Sequence, residues 1–323
     1  MRTDVHNHAM PANVLDLLRS DPVYEVKIDG DRWLGIHGPF TIAPTFVDAD
    51  AKLAELTARG LDAAVVSVTP PLFYTGLALE PLLAVCEQAN IGLAEFQKRH
   101  PDNFRWFAHV PLGHPESAAE VLAHAVAAGA VGVEIPSCVQ GRRLDEPEFE
   151  PFWDALGELG VPALMHPFDN APHQGLNDWH MQNVIGNQLE TTVAAERLIC
   201  AGTLDRHPGV RIILAHAGGY LPYQLGRLRH ARMAVGALAD TPTDHWGYFG
   251  QLLIDTIAHD VAALRYAVDR VGVENVVIGT DLPFDMATGE PWRELVEAVG
   301  EDAARIIAEQ NPERVLAGQR ISR

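Results

Sequence analysis

The sequence predicts an α/β fold, a (β/α)8 TIM barrel with a small β-hairpin insertion after the first strand, and three observations support this prediction. Short apolar segments alternate with longer amphipathic ones along nearly all 323 residues, as in repeated βα units around a parallel sheet. Eight such segments occur, and several, such as DAAVVSV and VRIILAH, are apolar almost throughout, as strands covered on both faces require. A doubly wound open sheet is the alternative, although no Gly-x-Gly-x-x-Gly turn follows any predicted strand.

The predicted elements follow one another along the chain without a break in composition. Strands are expected at residues 3–6, 62–68, 103–109, 131–135, 162–166, 211–216, 251–255 and 275–281. Amphipathic patterns predict helices that include residues 51–59, 79–98, 115–128, 148–159 and 262–271. Because no linker, low-complexity run or internal repeat marks a boundary, we expect a single domain over residues 1–323.

Two irregular segments interrupt this pattern. An insertion at residues 20–46 follows the first strand, and within it YEVKIDGDRWLGI predicts a β-hairpin with Asp29-Gly30 as its two-residue turn. Residues 169–187 are rich in Asn, Gly, His and Trp, a composition typical of a loop over an active site. The hairpin could cover the site or reach a neighbouring molecule.

Composition and charge exclude several classes of protein. Apolar residues make up 47% of the chain, which is too many for a disordered protein. The 43 acidic and 24 basic residues give a net charge of -19, which repels nucleic acid and anionic membrane surfaces. Three cysteines without a C-x-x-C pair indicate neither a disulfide framework nor a cysteine zinc cluster, so we expect a cytoplasmic protein. No segment approaches the roughly 20 apolar residues that span a bilayer.

The fifteen histidines are an unusually high count, and four of them with one aspartate mark a candidate site. His6 and His8 lie two residues apart at the end of the first predicted strand, so both imidazoles can reach one metal ion. His166, His216 and Asp281 each end a predicted strand. Because strand ends converge on the catalytic face of a (β/α)8 barrel, these five side chains are expected to meet there.

The residue types in this group favour one divalent metal ion. Imidazoles and a carboxylate suit Zn²⁺, with Mn²⁺ as the alternative, and such an ion lowers the pKa of a bound water toward about 7. An unligated histidine beside it would act as a general acid or base. Spacing alone does not decide which of His166 and His216 would bind the metal.

Four motifs in order along the chain resemble a known family. They are DVHNHAMP, LMHPFDN, ILAHAGGYLPYQLGR and VVIGTDLPF, and similarity also extends through SVTPPLFY and HPDNFRWFAHVPL. The chain is similar to the metal-dependent amidohydrolase superfamily, in its 2-amino-3-carboxymuconate-6-semialdehyde decarboxylase-like branch. The resemblance covers almost the whole sequence.

This resemblance implies a role for each matching residue. His216 corresponds to the histidine that activates water or delivers a proton, acting with Asp281, and Arg227 to an arginine that binds the substrate carboxylate from a neighbouring subunit, which implies a homodimer. A planar carboxylate is well matched by the paired N–H groups of arginine. The implied metal ligands are His6, His8, His166 and Asp281.

The sequence also departs from the family pattern. Leu34 stands where a second substrate-binding arginine is expected, and Arg32 nearby is a weak substitute. The aromatic residues expected around the substrate are matched only in part, and we expect contacts from Phe168, Trp179 and Phe284. Glu134 occupies the fourth-strand position at which a bridging carboxylated lysine would stand, which favours a mononuclear site.

These features predict a non-oxidative decarboxylase acting on a small unsaturated or aromatic carboxylic acid. The alternative is a hydrolase of a lactone, amide or cyclic imide, which would use the same ligands, and a non-catalytic binding module is the third hypothesis. His173 and His180 are outside candidates for substrate contact, and Asp169 and Asp285 for orienting the ligand histidines. His109 and Cys138 are interpreted as structural.

Overall fold

The computed structural model describes residues 1–35, 38–168, 174–238, 240–242 and 244–318 of the chain. Its strands are β1 (Thr3–Ala9), β2 (Lys27–Asp29), β3 (Arg32–Gly35), β4 (Gly38–Thr41), β5 (Ala63–Val68), β6 (Phe104–Trp106), β7 (Val133–Pro136), β8 (Cys138–Val139), β9 (Arg142–Arg143), β10 (Ala163–His166), β11 (Ile212–Leu214) and β12 (Leu252–Ile254).

Helices alternate with these strands, as the amphipathic pattern predicts. The α-helices span Ala12–Ser20, Pro44–Val47, Ala49–Ala58, Leu79–Arg99, Pro115–Ala127, Glu150–Leu159, Gln188–Cys200, Thr203–Arg206, Leu221–Ala234, Val261–Val271, Pro291–Val299, Glu301–Arg305 and Asn311–Leu316. Two π-helical segments, Gln182–Asn187 and Ile306–Gln310, each lead into the α-helix that follows. No helix in the described part of the chain is both long and apolar enough to cross a membrane.

Local sequence signals fix several helix ends. The Asp48 side chain accepts a hydrogen bond from Ala51 N at 2.7 Å, and Asp260 accepts one from Ala263 N at 2.7 Å. Such N-caps pair backbone N–H groups that have no partner inside the helix. Helix Glu150–Leu159 ends at Gly160, whose φ of 66° lies in the left-handed region that glycine adopts without steric cost.

The principal strands are parallel and form two hydrogen-bonded sheets, with the orders β1-β5-β6 and β12-β11-β10-β7. Isolated bridges link their edges: Ala108 pairs with Val133, Ile254 with Val276, and Asn7 with Leu282, all in parallel. The α/β class with parallel strands is therefore confirmed.

The predicted strand at 275–281 forms only isolated bridges. Val277 N donates to Ile254 O at 3.0 Å, and Ile278 O accepts from Val5 N at 3.0 Å, so the segment contacts a strand on either side. Ile278 N, however, donates to Ile307 O at 3.3 Å instead of to a strand. Continuous pairing is interrupted there, and the prediction of a regular eighth strand is wrong.

The segment after β1 forms a small antiparallel sheet. Strands β2 and β3 pair Asp29 with Arg32 across a turn at Gly30, and β4 then pairs with β3, with Leu34 opposite Pro39. Gly30 has a φ of 61°, which suits glycine in a tight turn. Residues 27–41 therefore contain three strands where the sequence predicts a two-stranded hairpin.

Most of the parallel strands contribute to one buried cluster of apolar side chains, which we call the inner apolar cluster. Because side chains alternate along a strand, every second residue of a strand lies on the same face. Full burial of each such side chain contributes about 1.5–3 kcal/mol. The inner apolar cluster consists of Val5, Val65, Phe107, Leu164, Ile213, Leu253, Val277 and Val315.

Candidate metal centre

His6 and His8 lie side by side on β1 with both side chains fully buried. The pairing of β1 with β5 shifts by one residue between Asp4 and Asn7, so a β-bulge precedes His8. A bulge changes the direction in which nearby side chains point. The two Nε2 atoms are 3.1 Å apart, and the rings meet nearly edge to face.

His166 and Asp281 complete a compact group with these two histidines. One ligand atom from each of the four residues lies within 4.8 Å of all the others, and all four residues are buried. Asp281 Oδ1 is 3.0 Å from His8 Nε2, 3.5 Å from His6 Nε2 and 3.9 Å from His166 Nε2. The structure thus brings together four of the five side chains that the sequence predicts to meet.

The donor atoms of this group fit a single divalent cation. His166 Nε2 and Asp281 Oδ1 are buried without a hydrogen-bond partner among the described residues, and a cation would satisfy both. Three imidazole nitrogens and one carboxylate oxygen suit Zn²⁺ or Mn²⁺. The group could therefore bind one metal ion.

The second nitrogen of each histidine is placed to fix its tautomer. His6 Nδ1 lies 2.7 Å from Asp255 Oδ2, His8 Nδ1 lies 2.8 Å from Val68 O, and His166 Nδ1 lies 3.1 Å from Pro167 O. Each Nδ1–H can donate to an oxygen, which leaves the Nε2 lone pair directed at the group. All three rings are thus arranged to bind through Nε2.

Electrostatics favour positive charge at this place. Burial alone would raise the pKa of Asp281, but its close contacts with the imidazoles of His166, His216, His6 and His8 hold that pKa well below its usual range. Burial lowers the pKa of His6, while hydrogen bonds to Asp255 and Asp281 raise it by more, to about 10. A divalent cation would compete with that proton, because a ligand imidazole must be neutral.

His216 lies on the other side of the Asp281 carboxylate. Its Nε2 is 3.5 Å from Asp281 Oδ2, and its side chain is 9% exposed. His216 follows β11 with φ 56° and ψ 56°, and Ala217 follows with φ 53° and ψ 27°. Left-handed conformations cost non-glycine residues about 1–2 kcal/mol each, and such strain is concentrated at functional sites. The turn ends the predicted strand at Leu214, two residues earlier than expected.

Asp255 is a buried residue beside the site that sequence reasoning missed. It is fully buried and accepts hydrogen bonds from His6 Nδ1 and from the backbone N–H groups of His216 and Ala217. Asp285, which we expected to orient a ligand histidine, is exposed, so that expectation is wrong. The position of Asp255 at the end of a predicted strand, as for His166, was the signal that could have identified it.

Glu134 lies beside the group on β7. Burial raises the pKa of this carboxyl group well above its usual range, and its Oε1 is 3.6 Å from His8 Nδ1. A neutral Glu134 adds no negative charge to the candidate centre. This agrees with a site for one ion, with Glu134 in place of a fourth-strand bridging lysine.

A cavity of about 470 Å³ opens beside His216 and Asp281. Amide side chains and tyrosine rings both contribute to its lining, so the cavity offers neutral hydrogen-bonding groups and aromatic surface. The residues that contribute these groups include Asn183, Asn187, Gln188, Tyr223 and Tyr266.

The predicted substrate-contacting aromatic residues occupy different environments. The Phe284 ring centroid is 5.3 Å from that of His8, so this residue does reach the histidines. Phe168 packs at the core, with its ring 5.9 Å from Phe73. Trp179 is 88% exposed and is not among the described residues that line the cavity, so the structure does not bring it to the site.

The other predicted contacts lie outside the four-residue group. Arg227 is exposed on helix Leu221–Ala234, the helix that contributes Tyr223 to the cavity. Leu34 is half-buried in β3, Arg32 of the same strand is exposed, and His180 is exposed. Asp169 and His173 lie outside the described residues.

The fold and the site together define an α/β protein with a candidate mononuclear metal centre where parallel strands end. The chain belongs to the amidohydrolase family, whose sequence model it matches over residues 3–317. The family resemblance inferred from the four motifs is thereby confirmed.

Known relatives cover most of the chain. A 2-amino-3-carboxymuconate-6-semialdehyde decarboxylase from Dictyostelium discoideum is 26% identical over 98% of this chain and 90% of that protein. A gamma-resorcylate decarboxylase from Rhizobium sp. is 29% identical over 73% of this chain and 77% of that protein.

A solved structure shares the fold. It is a 5-carboxyvanillate decarboxylase from Novosphingobium aromaticivorans complexed with manganese and 4-hydroxy-3-methoxy-5-nitrobenzoic acid. It matches with a TM-score of 0.81 and 22% identity, covering 98% of this chain and 96% of that chain.

Proposed function

We propose that this protein is a metal-dependent, non-oxidative decarboxylase of a small aromatic or unsaturated carboxylic acid. The observation that carries this proposal is the placement of His216 against one oxygen of Asp281, while the other oxygen faces the three histidines. A proton-transferring group thus lies next to a candidate metal centre and a cavity. The names of the relatives support the same class of reaction.

The proposal includes the closed (β/α)8 barrel. The bridges from Ala108 to Val133, from Ile254 to Val276 and from Asn7 to Leu282 support closure, because they connect both edges of each parallel sheet. In such a barrel the carboxyl ends of the strands form the catalytic face. His8, His166 and Asp255 would all lie at that face.

His6, His8, His166 and Asp281 would hold the ion, either Zn²⁺ or Mn²⁺. When bound, the ion supplies Lewis acidity that stabilises negative charge on substrate oxygens. The Nδ1 hydrogen bonds described above keep the three rings in place. Asp281 also faces His216, so the same carboxylate would orient the histidine that carries the proton.

His216 would supply the proton for the reaction. Its imidazole would donate a proton to the carbon that bears the carboxylate. The bond from that carbon to the carboxylate then breaks, its electron pair restores the unsaturated system, and carbon dioxide leaves. General acid catalysis of this kind contributes about 10²–10⁴-fold.

The substrate would contact side chains of several elements. Phe284 is positioned beside His8 for an aromatic contact, and we assign the same role to Phe168 from the family resemblance. Arg227 would bind the carboxylate through paired N–H groups. Its exposed position supports action on the site of a second subunit, in a homodimer.

The cytoplasm is the proposed location. Cys86, Cys138 and Cys200 form no disulfide bond with one another, which agrees with a reducing compartment.

Product analysis tests the proposed reaction. The metal-loaded protein would be incubated in heavy water with a set of hydroxylated benzoic acids and unsaturated acids. We expect release of carbon dioxide and one deuterium at the vacated carbon. A variant carrying both His6→Ala and His8→Ala should release no carbon dioxide.

Incorporation of ¹⁸O from labelled water into a carboxyl product would instead indicate a hydrolase, and no turnover with any substrate would favour a binding module.

A further inference from the structure

We propose that Asp255 is a positioning residue that couples the candidate metal centre to the turn carrying His216. This inference deepens the proposed function and rests on it for the roles of His6 and His216. Asp255 follows β12 and is completely buried. It contacts His6 and the backbone of the turn that carries His216, but it is not one of the four clustered metal-binding residues.

Both oxygens of Asp255 are fully used as hydrogen-bond acceptors. Oδ2 accepts from His6 Nδ1 at 2.7 Å and from His216 N at 2.9 Å. Oδ1 accepts from Ala217 N at 2.6 Å and from Ile257 N at 3.0 Å. An ionised carboxylate can accept about four hydrogen bonds, so no acceptor position is left over.

The contact with His6 would fix the tautomer of this ring and the direction from which its Nε2 binds a metal ion. An acceptor at Nδ1 keeps the proton on that nitrogen and leaves the Nε2 lone pair toward Asp281 and His8. Carboxylates that hold ligand histidines in this way typically change metal affinity or activity by about 10–100-fold when they are replaced. Asp255 would therefore act on metal affinity through His6.

The contacts with the backbone would set where His216 lies. His216 and Ala217 both have left-handed conformations, and their N–H groups converge on the same carboxylate. Successive N–H groups in such turns form a concavity that binds an anion. The Asp255 carboxylate supplies that anion from within the chain. It thereby stabilises a turn whose left-handed conformation is unfavourable for His216 and Ala217.

Asparagine cannot replace Asp255 without loss. All four partners of the carboxylate donate hydrogen bonds, whereas an amide keeps only one oxygen and turns its NH₂ toward two donors. Asp255→Asn therefore loses one pair of contacts, either with His6 and His216 or with Ala217 and Ile257. Either choice leaves buried donors without an acceptor.

Metal titration separates the two contacts. Stripped protein would be titrated with Zn²⁺ in competition with a chelator, and kcat measured in parallel. For Asp255→Asn we expect Zn²⁺ affinity about 10- to 100-fold weaker and a lower kcat. Adding Ala217→Gly should recover thermal stability and part of kcat, because glycine accepts φ 53° without steric cost, but none of the metal affinity. A purely structural role predicts that affinity recovers together with stability.

A matched control and a measurement on the parent protein complete the test. Asp48→Asn makes the same chemical change at an exposed N-cap and should leave Zn²⁺ affinity unchanged. In the Zn²⁺-loaded parent, ¹⁵N-histidine NMR should show His6 protonated at Nδ1, with the signal assigned by its loss in His6→Gln. Asp255→Ala removes both oxygens and so cannot keep the contact with His6. Parent-like affinity in both Asp255→Asn and Asp255→Ala, or a proton on His6 Nε2, would overturn the proposal. Neither measurement needs a substrate, so both stand if the decarboxylase proposal fails.

Discussion

The side chains on the inner face of the parallel strands form an apolar end and a polar end. The two ends are only two residues apart along each strand. Val65, Leu164 and Leu253 belong to the inner apolar cluster, while Ser67, His166 and Asp255 follow them by one repeat of the strand. Because the repeat is two residues, each pair faces the same interior. The strands thus place stabilising and reactive side chains on one face, separated by about 7 Å of backbone.

The largest effect is expected from removing a histidine of the polar end. His166→Ala deletes one of the four clustered donors, so we expect loss of tightly held metal and activity at background level. Elemental analysis of the purified variant measures the first, and carbon dioxide release the second. Because the side chain contributes nothing to the inner apolar cluster, the variant should fold. Stoichiometric metal in folded His166→Ala would contradict its assignment as a ligand.

Replacing His216 should affect chemistry without affecting metal content. His216→Asn keeps a polar side chain but cannot transfer a proton near neutral pH, so kcat should fall about 10²–10⁴-fold. The four clustered donors are untouched, and elemental analysis should find as much metal as in the parent. Reduced metal content together with reduced kcat would show that His216 is itself a ligand.

At the apolar end, the expected effect is on stability. Leu253→Ala removes a fully buried side chain, and such truncations cost about 2–5 kcal/mol. Urea denaturation should show a lower midpoint with an unchanged slope. Metal stoichiometry should stay at the parent value, because Asp255, two residues on, keeps its hydrogen bonds. If metal is lost at temperatures where the variant is folded, the two ends are not independent.

The sequence predicts much of this arrangement because strand alternation and strand ends leave local signals. His6 and His8 share a face through the two-residue repeat, and His166 ends an apolar run. These signals were enough to predict that five side chains meet, and the family resemblance then selected the four candidate ligands among them. They do not reveal partners that meet only through tertiary structure, such as Asp255 with His6, 249 residues apart.

Residues in loops were predicted least well, since their positions follow from packing and not from a repeat. Trp179 was expected near the substrate from composition and resemblance, yet it is exposed with φ 53°. The left-handed turn at His216 is likewise hidden from the sequence, because neither His216 nor Ala217 is a residue that favours it. Both depend on contacts made elsewhere in the chain.

Glu196, a buried carboxyl group away from both ends, offers a comparison with Asp281, and the imidazole nitrogen His245 Nδ1 lies 3.9 Å from its Oε2. Glu196 lies on helix Gln188–Cys200 and is 9% exposed, and its two carboxylate oxygens have no hydrogen-bond partner among the described residues. Burial raises its pKa from 4.5 to about 8. Asp281, equally buried, has a lowered pKa because four histidines surround it.

The raised pKa of Glu196 makes stability depend on pH with a defined sign. Between pH 4.5 and about 8 the folded protein keeps this proton while the unfolded chain has lost it, so the stabilisation present at low pH is lost as pH rises. Glutamine has no such proton. The free energy of unfolding of Glu196→Gln, relative to the parent, should therefore increase from pH 5 to pH 8 in urea denaturation.

Glu158→Gln, at an exposed position of helix Glu150–Leu159, controls for the chemical change, and its free energy of unfolding should change with pH in parallel with that of the parent. Parallel curves for Glu196→Gln as well would mean that water or a rearranged neighbour such as His245 already stabilises this carboxylate, and that burial does not raise its pKa.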